Sequence, residues 1–350
     1  MTRELVLDAW CHARANVNIA LVKYWGKAQL KRPEDVNLPA VPSLSLTLDG
    51  LFTLTRARFA PELEADRIVL DGAPLLGEER ARAVALLDAL RRTHGVVSPF
   101  EVVSDNHVPT AAGLASSASG MAALAAAAGR LVGLDPTADE DARALSALAR
   151  VGSGSAARSV FGGWVVWDGP CARPLAPADH LPIAVVIAVV ARGRKPIGSR
   201  DAMNHTAETS PYHGAWVAQA HATFDEAVDA VRRRDFDAIM HAMERSTWRM
   251  HAAAMAADPP VFYWQPASVA VLREVERMRA DGIACGATLD AGPNVKVFCR
   301  PDDAGVVVGR LTSIPGVGDI FTATPGEGVQ VHVDKSMGPS PTGPASEAVS

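Results

Sequence analysis

The chain is poor in several things, and each shortage narrows what it can be. Four cysteines occur in 350 residues, at Cys11, Cys171, Cys285 and Cys299, with no Cys-x-x-Cys among them. That scatter excludes a disulfide framework and predicts a reducing, cytoplasmic compartment. Ten histidines show no His-x-x-x-His spacing, so no metal-ligand set is expected. Aromatic residues make up only 5% of the chain. Trp164, Trp167, Trp216, Trp248 and Trp264 are expected in the core, and nothing suggests a base-stacking platform. Neither sign of charge dominates. A net charge of −5 argues against a nucleic-acid or anionic-membrane binder. Residues 1–30 lack the apolar stretch of a signal peptide. The most apolar run, Leu181–Ala191, is too short to span a bilayer and reads as a buried strand.

What remains is a chain with 48% hydrophobic and 21% charged residues, a soluble globular composition with enough length for one large or two moderate domains. Strands are predicted at Ala13–Val22, Ser43–Phe59, Phe100–Val103, Gly162–Trp167, Ile183–Val190, Ala287–Leu289 and Val295–Cys299. Helical spacing appears at Glu78–Thr93, Met121–Leu131, Asp139–Val151, Trp216–Arg233, Asp235–Ala257 and Ser268–Asp281. Strands and helices mix without a βαβ cadence, which predicts an α+β architecture. The proline-rich segment Pro170–Pro182 is the expected hinge between residues 1–180 and 181–335. Residues 336–350 read as a disordered tail.

The segment Pro109–Gly120 (PTAAGLASSASG) is the densest signal. Small side chains let a ligand approach the backbone, and the helix that follows offers free N–H donors and a positive dipole end. This makes an anion cradle for nucleotide phosphates, or else only a tightly packed helix entry. It matches neither Gly-x-x-x-x-Gly-Lys-[Ser/Thr] nor Gly-x-Gly-x-x-Gly. Asn18–Lys27 (NIALVKYWGK) places Lys23 and Lys27 just past a strand, as anion ligands or as a solvated strand end. Gly152–Arg158 (GSGSAAR) is a second hydroxyl-and-glycine loop, ending in an arginine suited to carboxylate or phosphate. Thr288–Asn294 (TLDAGPN) sets Asp290 at a strand end, as a general base beside a cation or as an Asx-turn cap. Ser199-Arg200 and Ser210–Tyr212 are weaker signals, with a surface loop as the default.

Together these segments, with Pro42–Leu48 (PSLSLTL), Asn106–Gly120 and Gly152–Gly163, resemble the mevalonate diphosphate decarboxylases of the GHMP small-molecule kinase superfamily. The motifs stand in family order over residues 13–335. The resemblance implies a GHMP kinase fold, with a ribosomal-S5-like N-terminal subdomain (1–180) and a ferredoxin-like C-terminal one (181–335) around a shared cleft. It implies ATP with Mg2+, a small phosphorylated substrate and a homodimer. Asp290 would orient or deprotonate the substrate 3-hydroxyl, Arg158 would hold its carboxylate, Lys23 would neutralise the reacting phosphoryl group, and Asn18 would position. Tyr24, Trp25, Gly26, Lys27, Arg80 (or Arg82), Ser153, Gly154, Ser155, Ala156, Ala157, Ser199, Arg200 and Thr206 would bind substrate. Pro109, Ala112, Gly113, Leu114, Ala115, Ser116, Ser117 and Ser119 would bind ATP.

One departure stands out. Where the family has Ser-Ser-x-x-Gly-Met, this chain has Gly198-Ser-Arg-Asp-Ala-Met203, with Ala202 in place of glycine. The competing readings are a phosphomevalonate decarboxylase, a kinase that does not decarboxylate, and a regulatory domain. Presence of Asp290, Lys23 and Arg158 argues against the last two.

Overall fold

Two long antiparallel strands, β1 (Trp10–Val22) and β2 (Ser43–Phe59), organise the first sheet. The computed structural model describes residues 5–30, 35–108, 116–191 and 197–334, the Ser116 side chain apart. The sheet has eight strands: β12 (Gln330–Asp334), β1, β2, β5 (Phe100–His107), β3 (Arg67–Leu70) and β4 (Ala73–Pro74) in order, with β6 (Trp164–Trp167) also on β2 and β7 (Ala172–Ala176) on β6. All pairs are antiparallel except β3 with β5. A register shift at Asn16/Val17 decides where β1 points its side chains, as bulges do. Before it, Cys11, Ala13 and Ala15 face one core; after it, Val17, Ile19 and Leu21 face another. Asn18 is thereby left to the opposite face.

The alanine-rich helix α2 (Ser116–Leu131) lies against β1 and β2. Ala122, Ala123 and Ala125–Ala128 are all fully buried, and only such small side chains let a helix sit this close to a sheet. Helices α1 (Gly77–His94), α3 (Asp139–Gly152) and the short α4 (Ala156–Ser159) complete that layer.

The second sheet has four antiparallel strands in the order β11 (Ile320–Ala323), β8 (Ala184–Ala188), β10 (Val295–Cys299), β9 (Cys285–Leu289). Its two faces follow the strand alternation. Val186, Val295 and Val297 meet α8 (Pro266–Ala280) and α9 (Ala304–Thr312). Val185, Ile187 and Phe298 share a core with α6 (His213–Arg232), α7 (Phe236–Met255), β1 and β2. This common core joins the two sheets. Helix α5 (Ser199–Thr209) precedes α6. Among the described residues no helix is long and apolar enough to cross a membrane.

The α+β expectation holds, with three differences in detail. Segment 170–182 is no loose hinge, because β7 pairs with β6 inside the first sheet. The last strand, β12, crosses back to pair with β1. Trp248 is 37% exposed and meets Trp264 edge-on at 5.7 Å, so it lies outside the core. Residues 336–350 lie outside the described residues.

Candidate active site

The site forms where the end of β1, the β9–β10 turn, α4 and the start of α5 converge. Asp290 follows β9 directly, and its loop is pinned from both sides. Asn294 Oδ1 accepts from the backbone N–H groups of Val190 and Ala191 at 2.9 and 3.1 Å, and Ser268 Oγ donates to the Pro293 carbonyl at 2.6 Å. One carboxylate oxygen, Oδ1, accepts from Lys23 Nζ at 2.7 Å, and Oδ2 lies 3.0 Å from Lys296 Nζ. Both lysines are 2% exposed while Asp290 is 35% exposed, so the carboxylate is the open end of a buried charge cluster. Burial pushes the Asp290 carboxyl up, but the Lys23 and Lys296 charges, with their hydrogen bonds, outweigh it and hold the group well below the usual carboxylate range. Burial pulls Lys23 down to about 8, against the Asp290 charge that supports its protonated form.

Lys296 carries no motif, and sequence reasoning missed it. The signal was there: a lysine inside the apolar strand Val-Lys-Val-Phe-Cys, on the alternation that faces α7 and β1, needs a partner to be buried. Its register neighbour Thr288 is hydrogen-bonded to Thr247 of α7 at 2.8 Å. His251 of α7, also missed, lies behind Asp290, its Nε2 at 3.4 Å from the Leu289 carbonyl. Burial, then the Lys23 charge, lowers it to about 4.

Arg158 on α4 is buried, donating from Nε to Asn18 Oδ1 at 3.1 Å and from Nη1 to Ser43 Oγ at 2.8 Å. Asn18 in turn donates to the Ser155 carbonyl and Ser159 Oγ at 3.2 and 2.7 Å. This fixes the Gly152–Arg158 loop against β1. Burial lowers Arg158 to about 10, partly offset by Asp290, which leaves it charged at neutral pH. Tyr24 packs on Trp167 with ring centroids 4.7 Å apart, and a Cβ at Gly154 would come within 2.8 Å of the Tyr24 ring. Only glycine permits that contact. Ser153 and Ser155 are half-buried with their hydroxyls 3.4 Å apart.

Further along lies a basic rim. Gly26, at φ +140°, turns the chain so that half-buried Lys27 follows. Burial, then the Arg200 charge, lowers Lys27 to about 8. Arg200, beside Ser199 in the first turn of α5, is itself lowered by burial and then by Arg82.

A cavity of about 110 Å³ lies beside the first turns of α2, between β3, β5 and α1. Its apolar walls include Ile68, Leu70, Leu75, Val102, Met121 and Leu124, with Ser104, Asn106 and Ser117 as polar groups and Glu79 and Arg82 as charged ones. The β3–β4 hairpin that forms one wall was absent from the sequence reading.

Several expected contacts lie elsewhere. Arg80 donates to the Asp66 carbonyl at 3.3 Å, whereas Arg82 acts on Arg200; two residues apart on a helix, they point in different directions. Thr206 is fully buried, its hydroxyl donating to Ala202 O at 2.7 Å. Ser119 is fully buried against Thr53, the hydroxyls 2.8 Å apart, on the helix face opposite Ser117. Trp25 is buried in a cluster with Val41, Ala202 and Trp216, and its carbonyl accepts from Trp216 Nε1 at 2.6 Å. Ala156 and Ala157 are fully buried and can offer only backbone. Pro109, Ala112, Gly113, Leu114 and Ala115 lie outside the described residues, as does the Ser116 side chain.

Comparison with known proteins identifies the family. Residues 15–171 match the diphosphomevalonate decarboxylase-like N-terminal domain, and residues 185–332 match the mevalonate 5-diphosphate decarboxylase C-terminal domain. The chain is 35% identical to the Candida albicans diphosphomevalonate decarboxylase, over 93% of this chain and 96% of the relative. It is 37% identical to the Bos taurus enzyme of the same name, over 85% and 78% of the two chains. Among solved structures, mevalonate diphosphate decarboxylase from Staphylococcus aureus aligns with a TM-score of 0.84 at 34% identity, covering 93% of this chain and 98% of that one. A structure described as MDDEF in complex with MVAPP, AMPPCP and magnesium aligns with a TM-score of 0.84 at 36% identity, covering 93% and 99%. The fold is therefore the GHMP-kinase fold. Within it, the chain belongs to the diphosphomevalonate decarboxylase family.

Proposed function

We propose that this chain catalyses the ATP-dependent decarboxylation of (R)-5-diphosphomevalonate to isopentenyl diphosphate, ADP, phosphate and CO2, a step of isoprenoid biosynthesis by the mevalonate route. The observation that carries this reading is the Asp290 carboxylate, presented to the cleft between two buried lysines and near Arg158. A tertiary hydroxide is a poor leaving group, so the 3-hydroxyl must first become a phosphate. Asp290 accepts a hydrogen bond from that hydroxyl and aims its oxygen at the γ-phosphorus of ATP. A carboxylate paired with two lysines is a weak base, so it takes the proton only as the O–P bond forms and the bond to ADP breaks. That order suits a loose phosphoryl-transfer transition state. The C3–O bond then breaks, phosphate leaves with the electron pair, and the pair of the C1–C2 bond becomes the alkene as CO2 departs.

Arg158 would hold the substrate carboxylate, with Asn18 fixing the guanidinium. Lys23 would offset charge on the transferring phosphoryl group. Lys27, Arg82 and Arg200, with Tyr24, Gly26, Ser153, Gly154, Ser155 and Ser199, would cradle the diphosphate. The Pro109–Gly120 loop and the start of α2 would take the ATP phosphates, Ser117 being the described hydroxyl that faces the cavity. The slot between β3 and α2, apolar with a few polar groups, suits a planar base. Among the described residues there is no group of three or more His, Cys, Asp or Glu side chains to hold a metal. Mg2+ would come to this site on the ATP phosphates, whose charge it offsets.

Residues 1–180 would supply the ATP loop together with Lys23, Lys27, Arg82 and Arg158, and residues 181–335 would supply Asp290, Lys296 and Arg200. Free cysteines, three of them buried, support a cytoplasmic setting. Contiguous exposed apolar residues Trp248, Phe262 and Val269 are the face that a homodimer would cover. The test is a coupled assay of ADP and CO2 with (R)-5-diphosphomevalonate, ATP and Mg2+. Equal amounts of both products are expected, and ATP turnover without CO2 would overturn the reading.

A further inference from the structure

Lys296 stands apart from every motif described above, yet it is as close to Asp290 as a charge partner can be. It is the second residue of β10, opposite Thr288 on one side and Ile187 on the other. Its ammonium meets Oδ2 of Asp290 at 3.0 Å, while Lys23 meets Oδ1 at 2.7 Å. The two lysines differ in what else holds them. Lys23 lies at the end of β1, where its Nζ also donates to the Ala20 carbonyl at 2.8 Å and its backbone N–H donates to Ser246 Oγ at 3.0 Å. Lys296 belongs to the central strand pair of the second sheet, which does not shift without disrupting two ladders.

We propose that Lys296 is a positioning residue for the reaction: it fixes the plane of the Asp290 carboxylate and keeps it ionised while anionic substrates fill the cleft. This rests on the reading of Asp290 as the group that faces the substrate hydroxyl. The physical need is plain. A diphosphate, a carboxylate and ATP bring many negative charges toward a carboxylate, and nearby negative charge favours its protonation. A protonated Asp290 has lost the lone pair that aims the hydroxyl. Lys23 alone is a poor safeguard, because its attraction is shared with the incoming phosphoryl group. Lys296, approaching from the sheet side, binds Asp290 without being drawn to the substrate. With each carboxylate oxygen engaged by one lysine, the group cannot rotate, and its remaining lone pairs point to the open cleft. The charged and titratable groups that face this pair are Lys23 from the end of β1, Arg158 from α4 and His251 from α7.

The test uses the full chain with ATP, Mg2+ and (R)-5-diphosphomevalonate, and follows ADP and CO2 release from about pH 4 to about pH 9. Lys296→Met should lower kcat about tenfold or more at neutral pH and leave KM for both substrates within about threefold. The acid limb of kcat should move to higher pH by about one unit or more, because a carboxylate flanked by one lysine instead of two takes up a proton more readily. In an Asp290→Asn background the same change should alter the residual kcat by less than about twofold, since Lys296 acts through Asp290. Carbon NMR of aspartate-labelled, unliganded protein gives a readout independent of turnover: the Asp290 carboxyl should titrate at higher pH in Lys296→Met than in the unaltered protein. Lys296→Gln, which keeps a hydrogen-bond donor without the charge, should behave like Lys296→Met. A kcat–pH profile that overlays the unaltered enzyme, or a loss that persists in full in the Asp290→Asn background, overturns the proposal. If both Lys296 variants fail to fold where Asp290→Asn folds, Lys296 is a structural cation and the proposal falls. Absence of CO2 from the unaltered enzyme is a different result, which sinks the reading of function instead, and the NMR titration then still decides the role of Lys296.

Discussion

Two groups of cations belong to the site, and they are held in opposite ways. In the Asp290 pocket, Lys23 and Lys296 share one carboxylate and are buried to 2% exposure. Along the rim, Lys27, Arg82 and Arg200 act on one another as like charges, only partly offset by Asp201 and Glu78. The pocket encloses its one carboxylate between paired cations and is geometrically fixed. The rim is left repelling itself, a state that an arriving polyanion relieves. Fixed geometry is what an orienting carboxylate requires. Unrelieved positive charge is what binding a diphosphate requires. Turnover should therefore be lost by damage to the pocket, and affinity by damage to the rim.

The largest expected effect comes from removing the charge at the centre of the pocket. Asp290→Asn should cut both ADP and CO2 release on the order of a thousandfold, with KM for either substrate within about threefold, as expected when an interaction used in the transition state is lost. Steady-state kinetics of the purified variant check this. Unchanged CO2 release would remove Asp290 from its assigned role. Next in size is Arg200→Ala, which should raise KM for the diphosphate substrate by about tenfold to a hundredfold, the loss of roughly one to two charge-assisted contacts. Its kcat should stay within about fivefold, since the transition state keeps its other contacts. A kcat loss larger than the KM change would mean that rim and pocket are one unit, and the comparison would collapse.

How legible each region was from sequence follows from the same difference. Asp290 and Lys23 sit at strand ends and Arg158 in the single-turn helix α4, all beside segments of unusual composition: GPN after Asp290, the GSGS loop before Arg158, the YWGK run after Lys23. Lys296 is set in a strand of ordinary apolar residues, and only its burial makes it matter. Strands β1 and β2 and helix α3 were readable from their alternation and spacing. The β3–β4 hairpin was not, because its strands are four and two residues long and two exposed residues separate them. Helix α5 was hidden by its polar composition; its stability comes from Ala202, Met203 and Thr206 packing inward. Sequence order does not say which way a helical side chain points, so it left Arg80 and Arg82 as alternatives and did not show that the Thr206 hydroxyl turns to Ala202 O. Helix direction also separates Ser117 from Ser119.

A smaller effect should appear in the pH dependence. Lys27 stands at about 8, so in free enzyme it is charged below that pH and neutral above it. The charged form attracts the diphosphate. Hence kcat/KM for the phosphorylated substrate should fall as pH rises through about 8, while kcat, which reports the complex where the bound anion keeps the lysine charged, should stay flat further into alkali. Lys23, also at about 8, contributes to the same limb. Lys27→Arg, with a guanidinium that stays charged, should shift part of that limb upward and leave the rest. A limb that does not move with Lys27→Arg would assign the whole titration to the pocket.

The smallest effect concerns the position where this chain departs from its family. Ala202 is fully buried among Trp25, Val41, Met203 and Trp216, on the face of α5 that turns away from the rim. Its methyl group fills core space and favours helix over the more flexible glycine. Ala202→Gly should therefore destabilise the protein by about 1 to 2 kcal/mol, combining helix propensity with the loss of one buried methyl. Thermal or denaturant unfolding measures this directly. Because α5 is anchored by several other buried side chains, Arg200 should keep its place, and KM for the diphosphate substrate should change by less than about twofold. A tenfold change in KM with little loss of stability would instead mean that residue 202 tunes the rim itself. The contacts that hold the diphosphate would then reach into α5 as far as residue 202.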